Sequence, residues 1–400
     1  MQLTILLSDG TGAWQVDQLE ALTPEWLAFL ETQPLGASVF NDPLYLTSYI
    51  KNDIGKMNRT ETLSFCILRE DGHIRCVAPI YFRPYNLSIR LATKNFFRIP
   101  IRLMAVFGES FVYEDSPKCH EWFRAIFNVI LRPSQKIDRY TVELFLESPF
   151  ADYLLKHFES NHRVRCVPNE TMWQNSHQIV FPESFDALIA SYSQSTKKNI
   201  RKNKNALEKN EPRSQFLCFT HPEDMHHFLE NMDEIRKSSW KSTTYGFTPW
   251  NVPNRVAFIH YLALLGWVRG YLLLAESGRP IAFRYGLCYR DCFHAIDTCY
   301  DTAYHHISPG TNTLYKMLEM LMAEQPCAKY LDFGFGSMPH KVIYGNKTIP
   351  SLEVSFHYSI KSRFWCSIQN CIDRFVWLAK KALNRLGIEN WVHKYLKNKK

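Results

Sequence analysis

The segment from Asp297 to Gly345 places the tightest constraint on how this 400-residue chain can fold. It contains an apolar strand, the turn Ser308-Pro309-Gly310-Thr311, an amphipathic helix and a second strand that ends at Asp332-Phe333-Gly334. Apolar residues recur in the helix at positions 314, 317, 318, 321 and 322, which is the spacing of a helix packed on a sheet. We therefore predict that Cys292–Tyr300 and Lys329–Phe333 pair in parallel through a helical crossover.

The turn that starts this helix is a candidate anion site. The first turn of a helix presents unpaired backbone N–H groups and the positive end of the helix dipole. Pro309 suits the first helical turn and Gly310 permits close approach to the backbone, while Ser308, Thr311 and Asn312 add side-chain donors. The alternative is an ordinary capped helix with no ligand.

Length and internal similarity favour two domains. Four hundred residues exceed one ordinary core, and 46% hydrophobic with 22% charged residues is typical of a globular protein. A hairpin pattern around Glu70-Asp71-Gly72 recurs around Glu276-Ser277-Gly278, about half a chain later. The recurrence suggests two copies of one α/β unit.

Charge is concentrated at the end of the chain. Residues 361–400 contain ten Lys or Arg and two acidic residues, which accounts for the whole formal net charge of +8. Aromatic and aliphatic residues recur there at helical spacing, so we predict a basic amphipathic helix that either lies on an anionic membrane surface or docks on the protein itself.

The remaining composition favours an intracellular protein. No apolar run is long enough to span a bilayer, and the first residues lack the features of a secretory signal. Eleven cysteines without a metal-binding spacing suit a reducing compartment. We expect a cytoplasmic protein without a metal cofactor, peripheral at the inner face of the membrane if the tail binds lipid.

Titratable residues cluster after the second strand. Asp332 ends the strand, and His340, Lys341 and Tyr344 follow it. A lysine can stabilise charge that develops on a carbonyl oxygen, while histidine and tyrosine can move protons. The Asp332-Phe333-Gly334 triplet is not a kinase motif, because the Gly-rich loop, strand lysine and His-Arg-Asp sequence are missing. A solvent-facing loop is the alternative.

Four motifs, taken in their order along the chain, resemble the GNAT-type acyltransferases. They are Tyr300-Asp301-x-x-Tyr304, Ser308-Pro309-Gly310-Thr311, Leu331-Asp332-Phe333-Gly334-x-Gly336 and Lys341-x-x-Tyr344-Gly345. The similarity is greatest to the FemAB-like proteins and to bacterial acetyltransferases associated with cellulose and exopolysaccharide production, and it covers about residues 180–350.

The resemblance implies two tandem GNAT-like domains of mixed α/β fold, which we place at residues 1–178 and 179–355, followed by the tail 356–400. It also implies transfer of an acyl group from acetyl-CoA or another acyl-CoA to an amine or hydroxyl of a saccharide or cell-envelope precursor. We assign catalysis to Lys341, Asp332, Tyr344 and His340, although His340 stands where the family has tyrosine. The acyl-CoA is assigned to Ser308, Pro309, Gly310, Thr311 and Asn312, and the substrate to Tyr300, Asp301, Tyr304, Trp240 and Arg284.

Two other functions remain open. Five of the eight residues in Lys197–Lys204 are basic, which would suit a tRNA surface if the donor were an aminoacyl-tRNA, as in FemAB-type peptidyl transfer. A run of charges is also the ordinary solvated face of a helix. The third possibility is a non-catalytic GNAT-fold module in an envelope-polysaccharide complex.

Overall fold

Two β-sheets with helices packed on them form the structure, which confirms the predicted mixed α/β fold. It is a computed structural model that describes residues 2–6, 13–32, 34–52, 54, 62–91, 94–107, 111–131, 137–159, 165–168, 175–239, 241–242, 247–324 and 328–385.

The strands are β1 (Gln2–Leu6), β2 (Thr62–Glu70), β3 (His73–Leu91), β4 (Lys94–Val106), β5 (Val112–Tyr113), β6 (Arg139–Phe145), β7 (Arg165–Pro168), β8 (Ser176–Val180), β9 (Gln215–Phe219), β10 (Val268–Leu274), β11 (Pro280–Tyr289), β12 (Cys292–Tyr300), β13 (Tyr330–Phe335), β14 (Lys347–Ile349) and β15 (Ser351–His357). The α-helices are α1 (Ala13–Glu31), α2 (Pro43–Lys51), α3 (Cys119–Ile130), α4 (Pro149–Glu159), α5 (Phe185–Ser191), α6 (Gln194–Asn210), α7 (Met225–Lys237), α8 (Pro253–Leu264), α9 (Pro309–Ala323), α10 (Pro339–Tyr344) and α11 (Ile360–Arg385).

The two sheets share one pattern of strand pairing. The first runs β1-β2-β3-β4-β6-β15-β7, with β5 paired to β3, and the second runs β9-β10-β11-β12-β13-β8-β14. In each sheet three antiparallel pairs are followed by one parallel pair and two further antiparallel pairs. The parallel pairs are β4 with β6 and β12 with β13, and the second is the predicted crossover.

Each sheet contains one strand whose place in the sheet does not follow the order of the sequence. β8 precedes β9 in the chain yet pairs with β13, and β15 follows the second sheet yet pairs with β6 in the first. The boundaries that we placed after residues 178 and 355 fall inside these two strands. The division into domains stays a prediction.

The three largest hydrophobic clusters among the described residues hold most of the helices to the sheets. Helices α3 and α4 cover one face of the first sheet, where Phe123, Phe127 and Tyr140 are fully buried. The predicted stripe of α9 packs on the second sheet, with Leu314, Met317 and Leu318 at 0% exposure. A third cluster joins both halves, since Tyr45 on α2 meets Phe258 on α8 with ring centroids 5.3 Å apart.

Helix α11 forms part of the predicted basic tail. Trp365, Ile368 and Ile372 pack against the small cluster of Leu87, Ile89, Ile99 and Ile101 on the hairpin of β3 and β4. Other apolar side chains of the helix are exposed, namely Ile360, Phe364, Phe375 and Leu378. Residues 386–400 lie outside the described residues. In the part of the chain that the structure describes, no helix is long and apolar enough to cross a membrane.

Candidate active site

A pocket opens where the parallel strands β12 and β13 part. They pair only from Cys292 with Tyr330 to His294 with Asp332, after which β12 continues to Tyr300 beside β11. The space between them has a volume of about 590 Å³. Beyond His294, the side of β12 that faces β13 has no strand beside it among the described residues. An extended ligand with amide groups could pair there, as an added strand does.

The pocket brings together most of the residues that the sequence singled out. The lining includes basic, hydroxyl and aromatic side chains from β11, β12, the start of α9 and α10. The predicted residues that line it are Arg284, Tyr300, Ser308, Pro309, Gly310, Thr311, His340, Lys341 and Tyr344.

The turn at the start of α9 offers fewer free amides than its sequence suggested. Ser308 adopts a left-handed conformation (φ 50°, ψ 53°), which is unusual for a residue other than glycine. Its carbonyl oxygen accepts from the amides of Thr311 and Asn312 at 3.0 and 3.1 Å. Pro309 has no N–H to offer. The amide of Gly310 has no acceptor among the described hydrogen bonds, so it is the group that this turn presents to a ligand.

Arg284 is a buried cation beside this turn. It lies on β11, is 7% exposed and donates from Nη2 to the carbonyl oxygen of Gly310 at 3.2 Å. Its Nε has no hydrogen-bond partner, and no carboxylate lies within 4 Å in the described parts of the chain. Burial lowers the pKa of Arg284 to about 10, so the group stays charged at neutral pH. A buried charge without a counter-charge is costly, and an anionic ligand would supply one.

A second cation in the pocket is already paired. Lys241 donates to Asp297 Oδ1 and to the carbonyl oxygen of Thr298 at 2.8 and 2.7 Å. Arg236 on α7 forms an ion pair with the other oxygen of Asp297. Lys241 was not among the predicted site residues, because Asp297 approaches it only through the packing of α7 on β12.

Lys341 closes the loop between β13 and α10. Its ammonium donates to three carbonyl oxygens, those of Phe333 at 2.6 Å, Gly334 at 3.2 Å and Phe335 at 2.8 Å. Burial lowers its pKa, while the carboxylates of Asp332 and Glu143 oppose that shift. The ammonium is therefore a structural cation in addition to lining the pocket.

His340 and Tyr344 lie on the same short helix, α10. Burial, together with the positive charges of Arg284, Lys341 and Lys241, lowers the pKa of His340 to about 4, so its imidazole is neutral at pH 7. Tyr344 is buried, with its ring 5.5 Å from that of Tyr315. A neutral imidazole can accept a proton and a phenol can donate one.

Asp332 lies on the other face of β13 from the pocket. Side chains alternate along a strand, and since Phe333 lines the pocket, Asp332 points away from it. Its carboxylate accepts from Ser176 Oγ at 3.3 Å, Gln178 Nε2 at 3.1 Å and the Gly334 amide at 2.6 Å. This position suits a residue that orients the end of the strand.

Three further predicted residues, Asn312, Asp301 and Tyr304, are not brought to the pocket lining. The Asn312 side chain turns away and donates to the carbonyl oxygens of Asn203 and Ile307. Asp301 caps the following 3-10 helix and pairs with Arg279 at 2.6 Å. Tyr304 stacks on His306 with ring centroids 6.5 Å apart. Trp240 lies outside the described residues. In the described ranges, no group of three or more His, Cys, Asp or Glu could hold a metal ion.

Residues 194–342, which supply the lining of this pocket apart from Tyr344, match the family model described as an acetyltransferase (GNAT) domain. This segment is therefore similar to a GNAT-type acetyltransferase domain. For these residues, the predicted resemblance to the GNAT-type acyltransferases is confirmed. No curated protein matches the chain by sequence.

Solved structures extend the likeness beyond the acetyltransferase domain. The crystal structure of FemX is similar with a TM-score of 0.56 and 11% identity, over 92% of this chain and 100% of that one. A conserved protein of unknown function from Bacteroides thetaiotaomicron VPI-5482 has a TM-score of 0.51 and 13% identity, over 88% and 100%. At these identities the likeness shows a shared fold across both sheets.

Proposed function

We propose that the protein is an acyltransferase that moves an acyl group from acyl-CoA to an amine or hydroxyl of a saccharide or cell-envelope precursor. The observation that supports it best is the pocket between the parting strands, where buried Arg284 lacks a counter-charge next to the N-terminus of α9. Such a pocket suits a ligand with anionic oxygens at one end and an extended amide chain.

In the proposed reaction, the acyl-CoA phosphates lie toward Arg284 and the amide of Gly310, and the thioester lies between β12 and β13. The acceptor nitrogen attacks the thioester carbonyl carbon, the carbon–sulfur bond breaks and the thiolate leaves. Neutral His340 or Tyr344 handles protons at this end of the pocket. Lys341 stabilises the developing oxyanion through its charge and holds the loop that shapes the pocket.

Calorimetric titration of acetyl-CoA into the purified protein tests the donor. We expect binding that Arg284→Met weakens by about tenfold or more, since the buried counter-charge is lost. Arg213→Met is the matched control, because Arg213 is an exposed arginine that pairs with Glu276 outside the pocket. Absence of binding by acetyl-CoA and by longer acyl-CoAs would overturn the proposal.

The aminoacyl-tRNA alternative has one specific observation in its favour. Helix α6 lies against the start of α9, where Asn312 Nδ2 donates to the carbonyl oxygen of Asn203. Lys198, Arg201 and Lys202 are exposed on the same helix. Binding of tRNA with a steep dependence on salt, lost in Arg201→Ala/Lys202→Ala, would favour this donor over acyl-CoA. If the purified protein captures a partner but transfers no acyl group to any acceptor, the non-catalytic alternative is favoured.

We also propose that α11 binds an anionic membrane surface. The apolar side chains Ile360, Phe364, Phe375 and Leu378 are exposed, and the segment is basic. An exposed apolar face next to basic residues suits an interface with anionic lipid. Sedimentation with phosphatidylglycerol vesicles, compared with phosphatidylcholine vesicles and with Phe375→Ser/Leu378→Ser, tests this; equal sedimentation in all arms would contradict it.

A further inference from the structure

A second cavity, of about 320 Å³, lies on the first sheet. Strand β6 alternates between buried and half-buried residues, and Tyr140, Val142 and Leu144 enter the core under α3 and α4. The opposite face is polar and lines the cavity. Its charged and aromatic lining residues are Tyr81, Arg83, Tyr85, Arg139, Glu143 and Glu353.

Two carboxylates oppose each other in this cavity. Glu143 on β6 and Glu353 on β15 are direct partners in the antiparallel register. Neither carboxylate has a hydrogen-bond or ion-pair partner in the part of the chain that the structure describes. Like charges directly opposite on adjacent strands are unfavourable. Burial and the charge of Glu353 raise the pKa of Glu143 to about 7, against the opposing effect of Lys341. A bound cation would relieve this repulsion.

Arginines lie at the other end of the same cavity. Arg139 is four residues before Glu143 on β6, about 13 Å along the strand. It donates to Ser355 Oγ from Nε at 3.1 Å and from Nη2 at 2.6 Å, and its guanidinium lies 5.6 Å from the Tyr85 ring centre. Arg83 lies over the rings of Tyr81 and Tyr85. No carboxylate lies within 4 Å of Arg139 among the described residues, so this end suits an anionic group.

The glutamate end of the cavity lies beside the loop between β13 and α10. Phe145 follows Glu143 on the same face of β6 and stacks on Phe335 with ring centroids 5.0 Å apart. The carbonyl oxygen of Phe335 accepts from Lys341, and the charges of Glu143 and Lys341 affect each other's pKa. The carboxylate pair is thus adjacent to the loop that borders the acyl-CoA pocket.

We propose that this cavity is the acceptor site, that it takes an amine which also carries a carboxylate or phosphate, and that Glu143 removes the proton from its ammonium group. The inference rests on the proposed acyl transfer. Glu143 takes one proton from the ammonium, the neutral nitrogen attacks the thioester carbon, and the carbon–nitrogen bond forms as the carbon–sulfur bond breaks. The second nitrogen proton goes to the departing thiolate, giving an amide and free CoA thiol.

Release of CoA thiol from acetyl-CoA tests the acceptor class with three probes: glucosamine, glucosamine 6-phosphate and lysine. We expect the phosphate or the carboxylate probe to exceed glucosamine in kcat/KM by about tenfold, and Arg139→Met to remove that advantage. Preference between the two anionic probes identifies the source of the negative charge.

The role of Glu143 is tested with the better probe. Glu143→Gln should lower kcat by about 100-fold and remove the acid limb of the pH profile, with acetyl-CoA affinity unchanged. Glu147→Gln, an exposed glutamate after β6, should match the wild type. Wild-type kinetics in both Glu143→Gln and Arg139→Met would overturn the acceptor site alone.

Thermal-shift measurements with the same three probes detect acceptor binding even when turnover is too slow to measure. If no probe is acetylated and none raises the melting temperature in a manner that depends on Glu143, the acceptor site is wrong. If acetyl-CoA itself does not bind, the proposed function fails instead, so the two failures are distinguishable.

Discussion

The ammonium of Lys341 donates to the carbonyl oxygen of Phe333 at 2.6 Å, which ties the start of α10 to the end of β13. Two neighbouring carbonyl oxygens share the same ammonium. The resemblance to GNAT-type enzymes suggests a catalytic role, whereas these contacts give the lysine a structural role as well. Substitutions can separate the two roles.

We predict that Lys341→Met lowers both stability and turnover. Hydrogen bonds to a charged group contribute about 1.5–3 kcal/mol each, so the free energy of unfolding should fall by about 2–3 kcal/mol or more. Lys341→Arg keeps the charge and donors and should recover part of the stability. Urea unfolding with parallel assays measures both quantities; a Met variant as stable as the wild type would contradict the structural role.

Arg284→Met should change stability and binding in opposite directions. The wild-type cation is buried without a carboxylate, so replacing it with an apolar side chain should stabilise the ligand-free protein by about 1–3 kcal/mol. Donor affinity should fall for the same reason. Thermal unfolding with and without acetyl-CoA checks this, and a loss of stability in the ligand-free variant would show that Arg284 is compensated.

Local sequence patterns predicted β10, β11, β12 and β13 of the second sheet because these strands are neighbours in the sheet and follow one another in sequence. The hairpin of β10 and β11, the following β12 and the apolar stripe of α9 all depend on short-range signals. Insertion of β8 beside β13 and of β15 beside β6 depends on contacts between distant segments. No periodicity or turn signal encodes such contacts.

The site shows the same division between local and long-range information. The turn at Ser308 and the residues of α10 were found because they lie near helix and strand ends. Asp332 was misplaced relative to the pocket, since the end of a strand does not tell which face a side chain takes. Glu143 was missed because its significance comes from Glu353 and Lys341, which are about 200 residues away in sequence.

We predict that His340 makes the fold less stable in mild acid. Its folded pKa of about 4 is below the usual 6.5, so between these pH values the unfolded chain binds more protons. Stability attributable to this group is therefore complete above pH 6.5 and is lost as pH falls toward 4. His340→Gln should show a weaker loss between pH 7 and 4.5 in urea titrations; identical slopes would contradict the lowered pKa.

Glu143 should show the opposite pH dependence. Its folded pKa of about 7 exceeds the usual 4.5, so the native state binds more protons between these values, and stability falls as pH rises through 7. Glu143→Gln should stabilise the protein by about 1–2 kcal/mol at pH 8, allowing for partial solvent screening, with no gain below pH 4.5. A gain that does not depend on pH would indicate a packing effect.

Gly345→Ala should displace the lysine loop by a backbone clash. A Cβ at Gly345 would lie 2.7 Å from the carbonyl oxygen of Lys341 and 3.3 Å from the Cβ of His177. The Gly345 amide already donates to that carbonyl oxygen at 2.8 Å, so the contact cannot relax without opening the end of α10. We expect a loss of about 1–3 kcal/mol and reduced acyl transfer.

Gly310→Ala provides the contrast for this prediction, because its Cβ would first meet Tyr300 Cδ1 at 3.3 Å, an aromatic side chain in the pocket wall. That variant should unfold at nearly the wild-type temperature and show its defect in acetyl-CoA binding instead. Chemical unfolding of the two variants shows which glycine supports the Lys341 loop. Calorimetry with acetyl-CoA shows which glycine gives the donor access to the pocket. Equal stability of the two variants would mean that the end of α10 can yield without affecting the fold.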